Sequence, residues 1–435
     1  MKIFTGKNWQ NWSGSVSCVP NKIFFPTSEQ DIIDAIQQVK YKKQSIRVEG
    51  SRHSFTPLIE TQDNILSLKQ YHGIYSIDDE KCEATVKSGT QLRALGQMLA
   101  DRGLAMQNLG DIDCQTIAGA VSTGTHGTGL SLGNIATQVV NFSLVTADGE
   151  VLECSETQNP EIFKAGQISL GALGIISKLT LKLMPAYYLK VVKKRCTLDE
   201  NLQNFTQSIE NNRHFEFFWL PNTNYTYTKA MNITNDKKDR GTWGKYFNEI
   251  VFENGALFVL GSLCRLLPRW SQKISSMGTS LIPQGEETNL SANIFTSYRW
   301  VRFHEMEYSV PLEKGTQVLR EIEDFILKEK IKVAFPIEVR VAKEDDIYLS
   351  PSYGRPSAYI AIHSFKGMPY EKYFHGCEAI FRKFNGRPHW GKMHYLKGSD
   401  FKNIYPKWED FHRVRRELDP DGLFMNPYLQ SIFEE

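Results

Sequence analysis

Apolar residues recur at helical spacing in three stretches of the chain. Ile32, Ile33, Ala35, Ile36 and Val39 form one stripe, and Ser28 just ahead of it can cap the free N–H groups of a helix start. In TQLRALGQMLADRG, Leu92, Leu95, Met98 and Leu99 share a face, with Thr90 near the start and Gly103 as the stop. GTQVLREIEDFILKEK, from Gly315, is amphipathic in the same way. Shorter runs have a β character. SIRVEG and EATVKSG each end in a small-residue turn, and VVNFSLVTADGEVLECS reads as two strands joined at Asp148-Gly149. SLGALGIISKLTLKLMP closes this mixed region with a glycine turn and a strand.

Beyond Pro185 the texture changes. HFEFFWLPNTNYTYTKAMNI alternates aromatic and polar positions, NDKKDRG reads as a solvated loop, and IKVAFPIEVRVA reads as a strand. The pattern predicts a first domain over residues 1–187 mixing helices and strands, and a sheet-rich second domain over 188–435. The class is α+β. At 435 residues two domains are also the expectation from length.

Composition excludes some functions. The net charge is +2, from 51 Lys+Arg against 49 Asp+Glu, so there is no basic excess of the kind nucleic acid requires. Seven cysteines include no C-x-x-C, which speaks against a disulfide scaffold or a cysteine-rich zinc site and for a reducing compartment, the cytoplasm. The most apolar run, GALFVLGSLCRLL (Gly255–Leu267), is too short to span a bilayer and carries Arg265. A buried helix or strand is expected there, with an interfacial membrane contact as the alternative.

Two small-residue segments suit close backbone approach to a ligand. GAVSTGTHGTG (Gly119–Gly129) offers glycines and small hydroxyl donors, as a phosphate or pyrophosphate would need, yet it is neither a P-loop nor G-x-G-x-x-G. VEGSRHS (Val48–Ser54) is a second such turn after a strand, with His53 at its tip. Two turns of this kind in one domain suggest a dinucleotide held between them; a structural turn is the bland alternative for either. In FPIEVRVA, alternation puts Glu338 and Arg340 on one face, either a polar pocket wall or an ordinary solvent-facing ion pair. RPHWGKMHYL collects Arg387, His389, Trp390, Lys392 and His394. The five-residue spacing of its histidines does not match the zinc pair of H-E-x-x-H, so no metal is expected. A lysine there could instead stabilise developing negative charge.

Taken in order, NWSG, GSRHSF, AGAVSTGTHGTG, SLGALGIIS, FPIEVR, GRPHWGK and LDPDGLFMNPYL resemble the sugar-1,4-lactone and alditol oxidases among the vanillyl-alcohol-oxidase-type flavoproteins, over nearly the whole chain. The resemblance implies a PCMH-type FAD-binding domain, then a substrate cap whose last segment, about 400–435, returns to the flavin. It implies FAD joined covalently through its 8α-methyl to His53. Glu49, Gly50, Ser51, Arg52, His53 and Ser54 would line the cofactor, with Thr116, Gly119, Ser122, Thr123, Gly124 and His126 continuing the wall and Ile175 or Ile176 meeting the adenine half. Glu338, Arg340 and Lys392 match the family's catalytic positions. The carbon bearing the hydroxyl would give hydride to flavin N5, and O2 or another acceptor would reoxidise the flavin. Where relatives often carry serine after N-[LM]-[GA], this chain has Asp111, following Gly110 at a position linked to oxygen access. A lactone is the expected substrate and an alditol the runner-up. From other classes stand a flavin-free sugar- or nucleotide-binding protein and a metal enzyme built on His389, His394 and Glu338.

Overall fold

The computed structural model describes residues 1–221, 223–237, 259, 262–263, 265–266, 284–297 and 301–433. The helical stripes become the helices Glu29–Tyr41, Leu92–Ala100 and Gly315–Lys328. Ser28 caps the first by accepting from Asp31 N, and Ile32, Ala35, Ile36 and Val39 bury its apolar face, while Ile33 is half-buried. NDKKDRG and GALFVLGSLCRLL lie largely outside the described residues. Among the described residues no helix is long and apolar enough to cross a membrane.

Three sheets carry the architecture. The first has four strands in the order Lys2–Thr5, Lys22–Phe25, Asn64–Ser67, Ile46–Glu49, the last three mutually parallel. The second is antiparallel, in the order Val151–Ser155, Val139–Val145, Ile175–Lys182, Glu83–Lys87, Ile74–Asp78. Its first pair is the expected hairpin across Asp148-Gly149, with Gly149 at φ 80°. One apolar layer joins both sheets: Phe24 and Leu66 from the first meet Val145 and Ile175 from the second, with the helix Glu29–Tyr41 and Phe424 completing it. The third sheet has eight antiparallel strands in the order Gly285–Leu290, Tyr188–Thr197, Tyr225–Thr234, His214–Trp219, Ile337–Ala342, Ser357–Phe365, Phe303–Pro311, Arg387–Pro388.

Two expected elements differ. The strand read over 331–342 spans only Ile337–Ala342. Pro336 just ahead has no N–H for a ladder, which confines strand pairing to the residues after it. The segment read as a glycine-rich loop contains a short helix, Ile117–Ser122, whose first turn is closed by Thr116 Oγ1 accepting from Gly119 N at 3.3 Å.

The chain's far end is tied to its beginning through one buried cation. Arg47, with no exposed surface, donates Nε to Leu58 O (2.7 Å), Nη2 to Leu170 O (2.6 Å), and Nη1 to Gly171 O (3.1 Å) and Phe424 O. Burial pulls its pKa down to about 9, which Asp419 opposes, so it stays cationic at neutral pH. Asp419 also accepts from Leu423 N (2.7 Å) and Phe424 N (2.9 Å), fixing the turn that offers Phe424 O to Arg47. Asn426 Nδ2 then donates to Pro57 O (2.9 Å) and Glu60 O (2.8 Å). An apolar replacement would strand buried carbonyls. Arg47→Met is expected to lower the free energy of unfolding by about 3 kcal/mol or more, read by urea titration.

Candidate active site

The strand Ile46–Glu49 ends at Gly50, where the chain turns against Thr116. A Cβ on Gly50 would come within 2.0 Å of Thr116 Oγ1, so only glycine allows this approach. The turn forms one wall of a pocket of roughly 880 Å³, part of it open to solvent. Gly50, Ser51, Arg52, His53 and Ser54 line that wall; Thr116, Gly119, Ser122 and Thr123 line another; Ser169, Leu170, Gly171, Gly174 and Ile176 form the third. Arg52 (φ 63°) and Leu170 (φ 56°), two non-glycine residues held in the left-handed region, both face this pocket. Arg47 grips the carbonyls at two of these walls, at Leu58 and at Leu170–Gly171.

Several expected wall residues lie behind it. Glu49 is buried and taken up by Arg52, which donates to it twice at 2.9 Å, and by Trp9 Nε1. Gly124 packs on Ile168 and Pro351. Strand alternation turns Ile176 to the pocket and Ile175 into the core between the sheets. His126 is buried against Tyr359, ring centroids 3.6 Å apart, with Nε2 3.0 Å from Glu307 Oε1. Gly110 backs onto the His126 carbonyl, and Asp111 accepts from Ser297 Oγ at 2.7 Å.

His53 stacks on Trp12 at 5.6 Å. Burial, aided by the nearby charge of Lys392, pushes its pKa down to about 4, so it is a neutral imidazole at pH 7. Lys392 lies 5.4 Å from the Phe55 ring centroid and is ion-paired with Glu305. Glu338 and Arg340 lie on a strand flanked on both sides, and both are buried; they are no solvent-facing pair. Arg340 pairs with Glu338 and donates Nε to Glu216 Oε2 at 3.0 Å, while Glu216 also meets Lys229 at 3.1 Å. Burial raises the Glu338 carboxyl and outweighs Arg340, with Glu216 and Asp111 adding to the rise. Burial alone would lower Arg340, but these same carboxylates hold its proton more firmly than usual.

The metal constellation of His389, His394 and Glu338 is not assembled. His394 Nε2 is 2.8 Å from the Tyr428 hydroxyl, and Glu338 is engaged by Arg340. His126, Glu307 and His389 do bring ligand-type atoms within 4.8 Å of one another. Hydrogen bonds already occupy them: Gly391 N donates to His389 Nδ1 at 3.0 Å, and the two nitrogens of His126 face Gly127 O (2.8 Å) and Glu307.

Sequence reading passed over Arg47, Glu216, Glu305 and Glu307. A signal existed for three of them. Glu216 interrupts the aromatic run HFEFFW, and Glu305 and Glu307 repeat the i, i+2 spacing of Glu338 and Arg340.

The pocket fits FAD. Backbone approach at Gly50 and Gly119, together with the hydroxyls of Ser51, Ser122 and Thr123, suits a pyrophosphate, and Leu58, Ile59, Leu68 and Ile176 suit flat apolar rings. Fold and pocket thus define a flavin-binding oxidoreductase. Comparison agrees: residues 20–155 match the FAD binding domain model. Residues 179–432 match the D-arabinono-1,4-lactone oxidase model, and the chain belongs to that family. It is 37% identical to L-gulono-1,4-lactone dehydrogenase of Mycobacterium tuberculosis over 425 residues, 98% of each chain. It is 32% identical to L-gulonolactone oxidase of Bos taurus, covering 99% of each. The crystal structure of cholesterol oxidase from B. sterolicum shares the fold, with a TM-score of 0.83 at 15% identity over 99% of this chain and 97% of that one.

The depressed histidines make stability depend on pH. His53, His214 and His394 are pushed to about 4 and His389 to about 3, by burial first, from an ordinary value of 6.5. Between 6.5 and about 4 the unfolded chain therefore binds more protons, and stability falls as pH drops through that window. Urea midpoints of the FAD-loaded protein should decline across it. His214→Gln should make the decline shallower, by at most about 1.4 kcal/mol per pH unit.

Proposed function

We propose that this protein oxidises a CH–OH group of a sugar-1,4-lactone of the L-gulono-, L-galactono- or D-arabinono-type, with FAD as cofactor and O2 as the acceptor that yields hydrogen peroxide. Residues 1–187 serve as the FAD-binding domain and 188–435 as the substrate cap, whose C-terminal segment, about 400–435, returns to the cofactor. FAD is attached covalently through the 8α-methyl group to His53. The free state of Cys18, Cys82, Cys114, Cys154, Cys196 and Cys377 supports a cytoplasmic setting. The observation that carries this reading is the neutral His53 on the pocket wall with the cation of Lys392 beside it.

FAD, when bound, supplies an acceptor for the electron pair and hydrogen leaving the substrate carbon. The chain's residues do the rest. Lys392 and Arg340 present positive charge to the substrate oxygen as its bond to carbon shortens. Glu338, its proton affinity raised by burial, accepts a hydrogen bond from a hydroxyl or takes its proton. His53, lacking a proton on one nitrogen, is able to carry a carbon substituent without first losing charge. The relatives' names favour a lactone over an alditol, since they speak of gulono- and arabinono-lactones.

Anaerobic flavin reduction tests the substrate. L-Gulono-, L-galactono- or D-arabinono-1,4-lactone should bleach the flavin and xylitol or sorbitol should not; bleaching by polyols alone would refute the lactone assignment. Readmitted oxygen should restore the colour and produce peroxide. After acid precipitation the native protein should stay yellow, whereas His53→Ala should release any FAD it holds. Lys392→Met and Arg340→Met should keep the flavin and lose about 10²–10³ in turnover, measured by stopped-flow reduction.

A further inference from the structure

The segment that carries Lys392 runs beside the strand Phe303–Pro311. Its backbone is tied there by His389 N to Glu307 O and Met393 N to Glu305 O, both 2.9 Å. Alternation puts Glu305 and Glu307 on one face of that strand, and both are buried. Each faces its own basic side chain. Glu307 faces His126 at 3.0 Å, and Glu305 is in direct contact with the Lys392 ammonium. The other oxygen of Glu305 lies 3.5 Å from Nε2 of His363, the residue directly opposite it on the strand Ser357–Phe365. His363 Nδ1 in turn sits 2.9 Å from Pro336 O, just ahead of the strand bearing Glu338 and Arg340. The ionisable groups facing Lys392 are thus Glu305 and Glu307 from one strand, His363 behind Glu305, His53 across the pocket, and His389 on its own segment.

We propose that Glu305 is a positioning residue: it aims the Lys392 ammonium at the His53 side of the pocket and serves as its fixed counter-charge. The role of Lys392 itself rests on the function proposed above. A lysine has a long flexible stem, and its ammonium here is largely withdrawn from water, with 20% of the side chain exposed. Both circumstances call for a fixed counter-charge. Glu305 supplies it from a strand whose register is set on one side by Ser357–Phe365 and on the other by Arg387–Pro388.

The test reads Lys392 directly, without substrate. The FAD-loaded full-length protein is acetylated with acetic anhydride across a pH series, and labelling at each lysine is measured by mass spectrometry, with exposed Lys314 as internal reference. In Glu305→Gln the labelling midpoint of Lys392 should fall by about one pH unit or more while that of Lys314 stays fixed. Glu305→Asp, which keeps the charge, should shift it less. The alkaline limb of lactone-dependent flavin reduction should move with the Lys392 midpoint. Should Glu305→Gln fail to accumulate, Glu305→Ser replaces it with the same expectation. A folded, yellow Gln or Ser variant whose Lys392 midpoint equals that of the native protein overturns the proposal. A shifted midpoint in a protein that no lactone reduces upholds the contact and removes the lactone reading instead.

Discussion

The pocket depends on a single buried guanidinium. Arg47 sits on a strand that leads straight into the His53 turn, and its four carbonyl partners belong to three separate segments. One closes the His53 turn at Leu58, one forms the opposite wall at Leu170 and Gly171, and one, Phe424, lies 377 positions away in the sequence. Loops of this composition, rich in Gly, Ser and Thr, have little apolar surface of their own to hold them. A planar cation with several fixed donors can satisfy carbonyls from several directions at once, which a hydrophobic side chain cannot. The left-handed backbone at Leu170 is sustained by this clamp, and that at Arg52 by its side-chain hold on Glu49 and by Trp12 N donating to its carbonyl.

A second principle governs the region beyond His53, reached through Lys392. Buried ionisable groups there come in matched sets, with the carboxylates on strands of the third sheet: Arg340 with Glu338 and Glu216, Lys392 with Glu305, His126 with Glu307. In the first set the carboxylates hold the Arg340 proton more firmly than usual, and in all three a buried polar group is met by a partner and not left alone. In the function proposed above, Arg340 and Lys392 would thereby hold charge ready for a reacting oxygen without solvent having to reorganise. Asp111 adds a further carboxylate to the Arg340 set, raising the proton affinity of Glu338.

How much of this was legible follows from distance along the chain. The helices Glu29–Tyr41, Leu92–Ala100 and Gly315–Lys328 and the hairpin at Asp148-Gly149 were readable because their signals are local periodicity and turn chemistry. Ile117–Ser122 was not: glycine and serine are poor helix formers, and the helix exists through the Thr116 cap and burial of Ile117, Ala118, Ala120 and Val121. Gly50, His53, Glu338, Arg340 and Lys392 were singled out because small residues and close charges stand out in sequence. Arg47 did not stand out. It reads as the polar position of a strand, and its partners come from 11, 123, 124 and 377 residues away. Glu49 and His126 were placed on the pocket wall, but each is engaged behind it, Glu49 by Arg52 and His126 by Glu307. Sequence shows that such residues are present; only the fold shows what consumes them.

The central claim is that the Arg47-clamped pocket holds FAD with its reactive ring against His53. Proteolysis of the purified yellow protein followed by mass spectrometry of the flavin-bearing fragment addresses it at one residue. The account predicts a fragment containing His53 heavier by the mass of FAD less two hydrogens, one lost from the 8α-methyl and one from the imidazole as the bond forms. Flavin found on a fragment from another part of the chain, or a flavin-loaded protein whose His53 fragment has its unmodified mass, would contradict it.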